Sequence, residues 1–284
     1  MRKIILGVSL LLVTIAGSAI GYNYMMQDEL IFKAIALPRD HKFDFQSAFE
    51  EVFLPVGDGE IHGIHFKAKD RQGAVCFFHG QGKNLDYWGS RADFFLKENL
   101  DVFIIDYRGF GKSSRGFTEK WLLQDSLTAY DYLNQHFEED KIIVCGNSLG
   151  TAMATWVAAN RHPNKLILEA PYYSMLDAAA HRRPYFPMWL IRMVVKYPLH
   201  TNKWIKKVKS PVYIFHGRLD NIIPFVQGQL LYEEVAKHND QVTFIPLDNF
   251  VHVNMQTDQQ YQEYIRDILQ IRRLKSQLLN DVSN

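Results

Sequence analysis

The sequence predicts an α/β protein in which a mostly parallel central sheet carries helices on both faces. Beyond residue 50, strand-like runs alternate with segments of helical periodicity, a pattern typical of strand-helix-strand units. One run leads directly into a glycine-flanked serine, Ser148, at the kind of turn that follows a parallel strand. The chain has 284 residues, 47% of them hydrophobic, which is enough for one sizeable core. We therefore expect a single domain over residues 50–280.

The amino terminus predicts a transmembrane helix over residues 1–24. Two basic residues precede an uncharged run, residues 4–20, which would be about 25 Å long as a helix. Tyr22 and Tyr24 follow the run, as is usual at a membrane interface. Such a helix would anchor the chain with its domain on the non-cytoplasmic side. The alternative is export with cleavage, because residues 17–19 (Gly-Ser-Ala) resemble a signal-peptidase site.

Eight strand-like runs follow, and they predict the strands of the sheet. The short run at residues 71–73 favours an early hairpin or meander, so the first strands are expected to pair antiparallel and the later ones parallel. Helical spacing returns over residues 256–279, with an apolar stripe that should pack on the sheet. The runs are EVFLPV, EIHGIHFKA, GAVCFFHG, DVFIIDY, KIIVCG, KLILEAP, PVYIFHG and QVTFIPL.

The pentapeptide GNSLG makes Ser148 a candidate nucleophile. Gly146 and Gly150 have no side chains, so the strand can turn sharply into a helix and leave the hydroxyl exposed. The start of that helix offers free N–H groups and a favourable dipole to a developing oxyanion. The alternative is that a small residue stands here only because the turn is tight.

A serine nucleophile needs a base, and the base needs an orienting carboxylate. Asp220 follows the run PVYIFHG and His252 follows the run QVTFIPL, so both are expected in loops beyond strand ends. The chain order is therefore Ser, Asp, His. Other candidates are, for the acid, Glu169 and Asp248, and for the base, His79 and His238.

An oxyanion-binding loop is predicted after the third strand-like run. The sequence HGQG at residues 79–82 supplies a glycine-bearing loop. Its Gln81 backbone N–H and the backbone N–H of Leu149 would together donate hydrogen bonds to the oxyanion of a tetrahedral intermediate.

Composition and motifs exclude several function classes. With 32 basic and 31 acidic residues the formal charge is +1, so no bulk field would gather nucleic acid. There is no CxxC pair, no HExxH and no cluster with metal-ligand spacing, so no metal is expected. The run GFGKSS is not a phosphate-binding loop, because the required first glycine is replaced by Asp106. We expect no cofactor.

The regular alternation stops over residues 172–209, which we interpret as a small helical cap. This stretch is too long for an ordinary connection and mixes aromatic, apolar and basic side chains. Part of it should pack on the domain, and the rest would line an acyl-binding cleft or touch the membrane beside the anchor. The apolar cluster consists of Tyr185, Phe186, Met188, Trp189 and Leu190.

From about residue 50 to residue 265 the sequence resembles the α/β-hydrolases, most closely the membrane-anchored BEM46- and ABHD13-like group related to serine aminopeptidases of the S33 type. The resemblance implies Ser148 as nucleophile, His252 as general base and then acid, and Asp220 as orienting acid. Many relatives carry glycine just before the histidine, whereas Phe250 and Val251 stand here. The segments that carry the resemblance are HGQGKN, DYRGFGKSS, GNSLGTA, EAPYYSM, HGRLDNIIP and HVNM.

The function expected from this reading is a membrane-anchored serine hydrolase that cleaves carboxylic esters, including lipid or acyl esters, through an acyl-enzyme. One alternative is a serine peptidase or aminopeptidase, which would need an acidic pair in the cap to capture a free amine, and no such pair is evident. The other is a non-catalytic binding protein on the same fold. The sequence does not determine the oligomeric state.

Overall fold

The computed structural model describes residues 1–252 and 255–269. Its centre is an eight-stranded sheet with the order β1-β2-β4-β3-β5-β6-β7-β8. All eight predicted runs form strands of this sheet. They are β1 (Phe49–Val56), β2 (Gly59–Phe66), β3 (Gly73–Phe78), β4 (Leu100–Asp106), β5 (Ile142–Asn147), β6 (Lys165–Glu169), β7 (Val212–Gly217) and β8 (Val242–Leu247).

The sheet is mostly parallel, as predicted, and its antiparallel part is confined to one edge. β1 and β2 form a hairpin, β2 runs antiparallel to β4, and all later pairs are parallel. The hairpin turns at residues 57–58, because Val56 pairs with Gly59. The expected turn at residues 71–73 was therefore misplaced. The chain leaves the sheet after β2 and re-enters it as β3, on the far side of β4.

The four central strands are buried along their whole length. Every residue of β3, β4, β5 and β6 is buried, which explains why these runs are almost continuously apolar. A parallel strand covered on both faces has no solvent side on which polar residues could alternate. The reactive groups must therefore lie in the loops at the strand ends.

Helices cover both faces of the sheet, and the sheet separates the core into two parts. One part of the core includes Met153 and Leu231 under α5, α6 and α10, and the other includes Phe95 and Tyr261 under α4 and the helical residues 259–269. The helices are α1 (Arg2–Met25), α2 (Gln27–Phe32), α3 (Leu85–Trp88), α4 (Ala92–Lys97), α5 (Glu119–Asn134), α6 (Gly150–Asn160), α7 (Met175–Arg182), α8 (Met188–Val194), α9 (Thr201–Trp204) and α10 (Phe225–Ala236).

Polar side chains begin several of these helices. Thr118 accepts a hydrogen bond from the Trp121 amide at the start of α5, and Asn84 and Ser174 cap α3 and α7 in the same way. Each of these caps satisfies an amide that has no partner inside its helix. The predicted cap segment, residues 172–209, contains α7, α8 and α9.

Both ends of the chain bear on the predictions. The amino-terminal residues form α1, but within the described residues no helix is long and apolar enough to cross a membrane. The predicted transmembrane helix is therefore not supported. At the other end, residues 259–269 are helical and bury Tyr261, Ile265 and Ile268 against the sheet. The part of the predicted helix beyond residue 269 lies outside the described residues.

Candidate active site

Ser148 lies in a strained turn between β5 and α6. Its φ is +50°, in the left-handed region that costs energy for any residue with a side chain. The turn is held from the neighbouring strand, because the Ser148 amide donates to the Glu169 carbonyl at 2.8 Å. The hydroxyl is thereby presented beyond the carboxyl end of β5, as the sequence predicted.

The glycines on either side of this turn are required by close packing. A Cβ on Gly146 would lie 2.5 Å from the Gly150 carbonyl oxygen and 2.7 Å from Ala154 Cβ. A Cβ on Gly150 would lie 2.0 Å from the Phe78 carbonyl oxygen. Helix α6 can therefore begin directly against the end of β3 only because both positions lack a side chain.

The structure brings Ser148, His252 and Asp220 together in one hydrogen-bonded chain. Ser148 Oγ lies 2.8 Å from His252 Nε2, and His252 Nδ1 lies 2.7 Å from Asp220 Oδ2. Because an ionised carboxylate can only accept, Nδ1 carries the proton and Nε2 is left to accept the serine proton. The three residues come from loops after β5, β7 and β8, as predicted.

Backbone hydrogen bonds join the loop of Asp220 to the loop of His252. The Arg218 amide donates to the Leu247 carbonyl at 2.9 Å, and the Leu219 amide donates to the Phe250 carbonyl at 3.1 Å. Phe250, one of the two bulky residues before the histidine, thus helps to join the two loops through its carbonyl group, which faces Gly217. The two loops are fixed relative to each other before any substrate binds.

Asp220 is held as an anion by its surroundings. Burial alone would raise the pKa of its carboxyl, but hydrogen bonds from His216 and His252 and from the Ile223 amide outweigh burial and lower that pKa below its ordinary value. Its Oδ1 accepts from the Ile222 and Ile223 amides at 2.9 and 2.8 Å. Asp220 therefore stays charged and accepts the hydrogen bond that His252 Nδ1–H donates.

His216 is a neighbour of the site that the sequence reasoning missed. It is buried, its Nε2 donates to the Ile223 carbonyl at 2.9 Å, and the same nitrogen lies 3.5 Å from Asp220 Oδ2. The signal was present in HGRLD, because a histidine at a strand end four residues before the acid can face it.

The other candidates for the acid are engaged elsewhere. Glu169 is buried at the end of β6, where it accepts from the Asn147 side chain at 2.9 Å and from the Tyr261 hydroxyl. Asp248 is exposed and pairs with Arg218 at 2.6 Å. Neither forms a described hydrogen bond with His252.

The other candidate bases are engaged as well. His79 is buried at the end of β3, and its Nδ1 donates to the Gly80 carbonyl at 2.7 Å. His238 follows α10 and lies 3.6 Å from Glu234. Among the described histidines, only His252 has a ring nitrogen within hydrogen-bond distance of Ser148 Oγ.

Gln81 and Leu149, the predicted oxyanion donors, lie on the two segments that adjoin this turn. Leu149 directly precedes α6, where backbone amides have no partner inside the helix. The loop carrying Gln81 is close to the turn, since a Cβ on Gly80 would lie 2.8 Å from Asn147 Oδ1. In the part of the chain that the structure describes, neither amide donates a hydrogen bond.

Comparisons with known proteins agree with this architecture. A family model described as serine aminopeptidase, S33, matches residues 69–203. The α/β hydrolase domain-containing protein WAV2 of Arabidopsis thaliana is 27% identical over 225 residues, which cover 72% of this chain and 73% of the relative. Protein bem46 of Schizosaccharomyces pombe is 29% identical over 229 residues, covering 75% of this chain and 76% of the relative.

Solved structures share the fold at lower sequence identity. The esterase Pf2001 of Pyrococcus furiosus superimposes with a TM-score of 0.67 at 20% identity, covering 85% of this chain and 98% of that structure. This likeness concerns the arrangement of the sheet and its helices.

Proposed function

Because the chain is a BEM46-like α/β-hydrolase, we propose that it is a serine hydrolase that cleaves carboxylic esters. The proposed substrates are small-molecule esters and lipid or acyl esters. The proposed nucleophile is Ser148, with His252 as the base and Asp220 as the orienting acid.

The observation that carries this proposal is the hydrogen-bonded chain from Ser148 Oγ through His252 to Asp220, with distances of 2.8 and 2.7 Å. A serine used only to make a tight turn has no reason to face an imidazole whose other nitrogen is held by a buried carboxylate. The same three residue types in the same roles generate a nucleophile on several unrelated folds.

The proposed mechanism has two halves. Ser148 Oγ attacks the ester carbonyl while its proton passes to His252 Nε2, and the tetrahedral intermediate then expels the alcohol, which takes that proton. Water next gives a proton to Nε2 and attacks the acyl-enzyme, which forms a second tetrahedral intermediate. When this intermediate collapses, Nε2 returns the proton to Oγ and the acid is released. Asp220 stabilises the imidazolium in both halves without accepting the proton.

The amides of Gln81 and Leu149 are proposed to bind the oxyanion in each tetrahedral intermediate. Two preorganised N–H groups stabilise charge that develops only in the transition state, which is why a single donor is commonly worth about 10²–10³ in kcat. The start of α6 adds its dipole at the same place.

The test is labelling with an active-site fluorophosphonate, combined with hydrolysis of p-nitrophenyl esters, in the wild-type chain and in Ser148→Ala. We expect one modified peptide, which contains Ser148, and loss of both labelling and turnover in the variant. Folded wild-type protein that neither labels nor hydrolyses any ester would favour a non-catalytic binding protein.

A second candidate function is an aminopeptidase, which the description of the matching family model favours. Capture of a free amino terminus would require a carboxylate near the cleft. Asp177, in the predicted cap segment, is hydrogen-bonded to Ser174 at the start of α7. Adding aminoacyl p-nitroanilides to the substrate panel separates the two functions, and we expect esters to be the better substrates.

Attachment of α1 to a membrane is also proposed, as a location for the enzyme. The side chains of this helix include Ile4, Leu6 and Leu10, which are exposed along with most of their apolar neighbours. A helix whose apolar side chains are mostly exposed is unfavourable in water and favourable in a lipid phase.

A further inference from the structure

The segment after α1 contacts two parts of the domain that are far apart in sequence. We call residues 27–37 the connector; it comprises α2 and the extended residues after it. At its amino-terminal end Gln27 is buried, its Nε2 donates to the Val194 carbonyl at 2.7 Å, and its Oε1 accepts from the Lys196 amide at 2.9 Å. The connector is thus fastened to the end of α8, within the predicted cap segment.

A charged contact reinforces this attachment. Asp28 accepts from Lys196 Nζ at 2.6 and 2.8 Å and from the Tyr197 hydroxyl at 2.6 Å. Next to it, Phe32 is fully buried, stacked on Phe117 with ring centroids 4.4 Å apart. The connector therefore occupies a fixed place in the core.

The other side of the connector holds the loop after β3. Gln81 Nε2 donates to the Leu30 and Ile31 carbonyls at 2.8 and 2.6 Å, and the Gly82 amide donates to the Phe32 carbonyl at 2.8 Å. These carbonyls belong to the last turn of α2, where helical carbonyls have no partner inside the helix. The loop therefore acts as the carboxyl-terminal cap of α2, and α2 in turn fixes the loop.

The contact continues beyond the helix. Ala34 and Lys83 form a parallel bridge, the Ile35 amide donates to the Lys83 carbonyl at 3.3 Å, and Asn84 Nδ2 donates to the Ile35 carbonyl at 3.2 Å. An exposed loop tip is ordinarily mobile unless other elements hold it. Here the whole stretch from Gln81 to Asn84 is bound to the connector.

We propose that the connector is a positioning element of the active site, and that the Gln81 side chain is the residue through which it fixes the oxyanion-binding amide. The inference rests on the proposed function, because it assigns the Gln81 N–H to the oxyanion. The physical reason is preorganisation: a donor stabilises the oxyanion fully only if it is already aimed when charge develops. Gln81 therefore has two roles, its amide toward substrate and its side chain toward α2.

The experiment replaces Gln81 in the full chain and measures kcat and KM separately on p-nitrophenyl butyrate. Gln81→Glu keeps the backbone amide but turns a carboxylate toward the two carbonyl oxygens of α2. Gln81→Ala also keeps the backbone amide and removes the side-chain donor without adding charge. We expect kcat to fall by roughly 10- to 100-fold in both variants with KM within about twofold, because ground-state binding is not affected. Binding of an alkyl boronic acid, whose tetrahedral adduct resembles the intermediate, should weaken by the same factor.

Two further variants separate positioning from general damage. Gln81→Arg keeps a donor that can reach the last carbonyls of α2, so it should recover most of kcat. Gln124→Glu adds the same charge at an exposed glutamine on α5 and should leave kcat unchanged. A melting temperature for each variant identifies any loss of folded protein. If Gln81→Glu does not fold, the comparison of kcat between Gln81→Ala and Gln81→Arg tests the positioning role.

The possible results are distinct. Wild-type kcat and boronate affinity in folded Gln81→Glu and Gln81→Ala would overturn the inference while leaving the proposed function intact. Loss of kcat that Gln81→Arg does not recover would also overturn it. A wild-type chain that shows neither turnover nor labelling of Ser148 would overturn the proposed function and this inference with it.

Discussion

At the scale of single residues, the site depends on how Asp220 is held. Two amides of its own loop fix one carboxylate oxygen, and His216 and His252 face the other. This arrangement orients the carboxylate as well as keeping it charged. A carboxylate at this position acts on the serine only through the tautomer and the ring orientation of His252.

The first prediction concerns the base and its acid. His252→Ala should lower kcat by several powers of ten, and Asp220→Asn should lower it by about 10⁴-fold, as expected when the amide stabilises the wrong histidine tautomer. Steady-state kinetics on one p-nitrophenyl ester measures both, with Asp248→Asn as the control at an exposed acid. Near-normal turnover in Asp220→Asn, together with loss in Glu169→Gln, would mean that the acid is Glu169.

A second residue-scale feature is a buried acid between two imidazoles. Asp106 lies 3.7 Å from His79 Nε2 and 3.8 Å from His62 Nδ1, and all three side chains are fully buried. His62 is also hydrogen-bonded to Glu51. Burial raises the pKa of the Asp106 carboxyl to about 6 and lowers the pKa of the His79 imidazole to about 4. Both groups are therefore disposed to be neutral in the fold.

The second prediction follows from the opposite signs of these shifts. Between about pH 4 and 6, the folded state keeps a proton on Asp106 that the unfolded state releases, so Asp106 stabilises the fold as pH falls. His79 stays neutral while the unfolded histidine binds a proton, so it destabilises the fold as pH falls. The two contributions to the free energy of unfolding oppose each other, and each changes it by at most about 1.4 kcal/mol per pH unit.

Relative to wild type, Asp106→Asn should therefore lose unfolding free energy on going from pH 6 to pH 4, and His79→Asn should gain it. Urea unfolding at pH 4, 5 and 6 measures the three slopes. Parallel pH profiles for all three proteins would show that neither group titrates differently in the folded and unfolded states.

At the scale of elements, α8 is the part of the predicted cap segment that shows the most apolar surface. Ile191 is buried against the domain, whereas Tyr185, Phe186 and Trp189 are exposed, Trp189 by 63%. Helix α8 also contacts α1. The expectation that the predicted cluster packs on the domain core is therefore wrong for Tyr185, Phe186, Met188 and Trp189, which are all exposed, and Leu190 is only partly buried. The aromatic side chains remain available to substrate or lipid.

The third prediction tests whether this face selects the acyl chain. If Trp189 contacts the acyl group, each added CH₂ should raise kcat/KM by up to about fourfold, equivalent to about 0.8 kcal/mol. Trp189→Ala should flatten the series from acetate to hexanoate and leave acetate hydrolysis nearly unchanged. Tyr264→Ala, another exposed aromatic residue, serves as the control. An equal loss for every ester would assign α8 to packing or to the membrane surface.

At the scale of the whole molecule, the proposed location depends on α1. The helix is followed directly by α2, the first part of the connector, so a membrane that holds α1 would also hold nearby the loop after β3 that α2 contacts. This arrangement would bring the site to substrates dissolved in lipid.

The fourth prediction is that the full chain stays with membranes after extraction at alkaline pH and that its amino terminus begins within residues 1–3. Retention would follow from the apolar side chains of α1, since each buried CH₂ contributes about 0.8 kcal/mol. Amino-terminal sequencing and fractionation measure both. An amino terminus near residue 20 would indicate signal-peptide cleavage, and an intact chain in the soluble fraction would contradict membrane attachment.

The sequence by itself determined the strands and the candidate residues at their ends. Apolar runs bounded by helical segments predict buried parallel strands because a strand covered on both faces has no polar alternation. Glycines beside Ser148 indicate a tight turn, and Asp220 and His252 stand where their runs end. All of this information is local, so it can be read within a few residues.

Only the tertiary structure decided which of the candidates meet. Asp220 and Asp248 follow strands in the sequence and Glu169 ends one, and the choice among them depends on sheet order and on hydrogen bonds between loops. The attachment of Gln27 to the end of α8 and the capping of α2 by Gln81 are also contacts between distant segments. Periodicity and turn residues describe the chain's local preferences, whereas contacts of this kind follow from the packing of the whole chain.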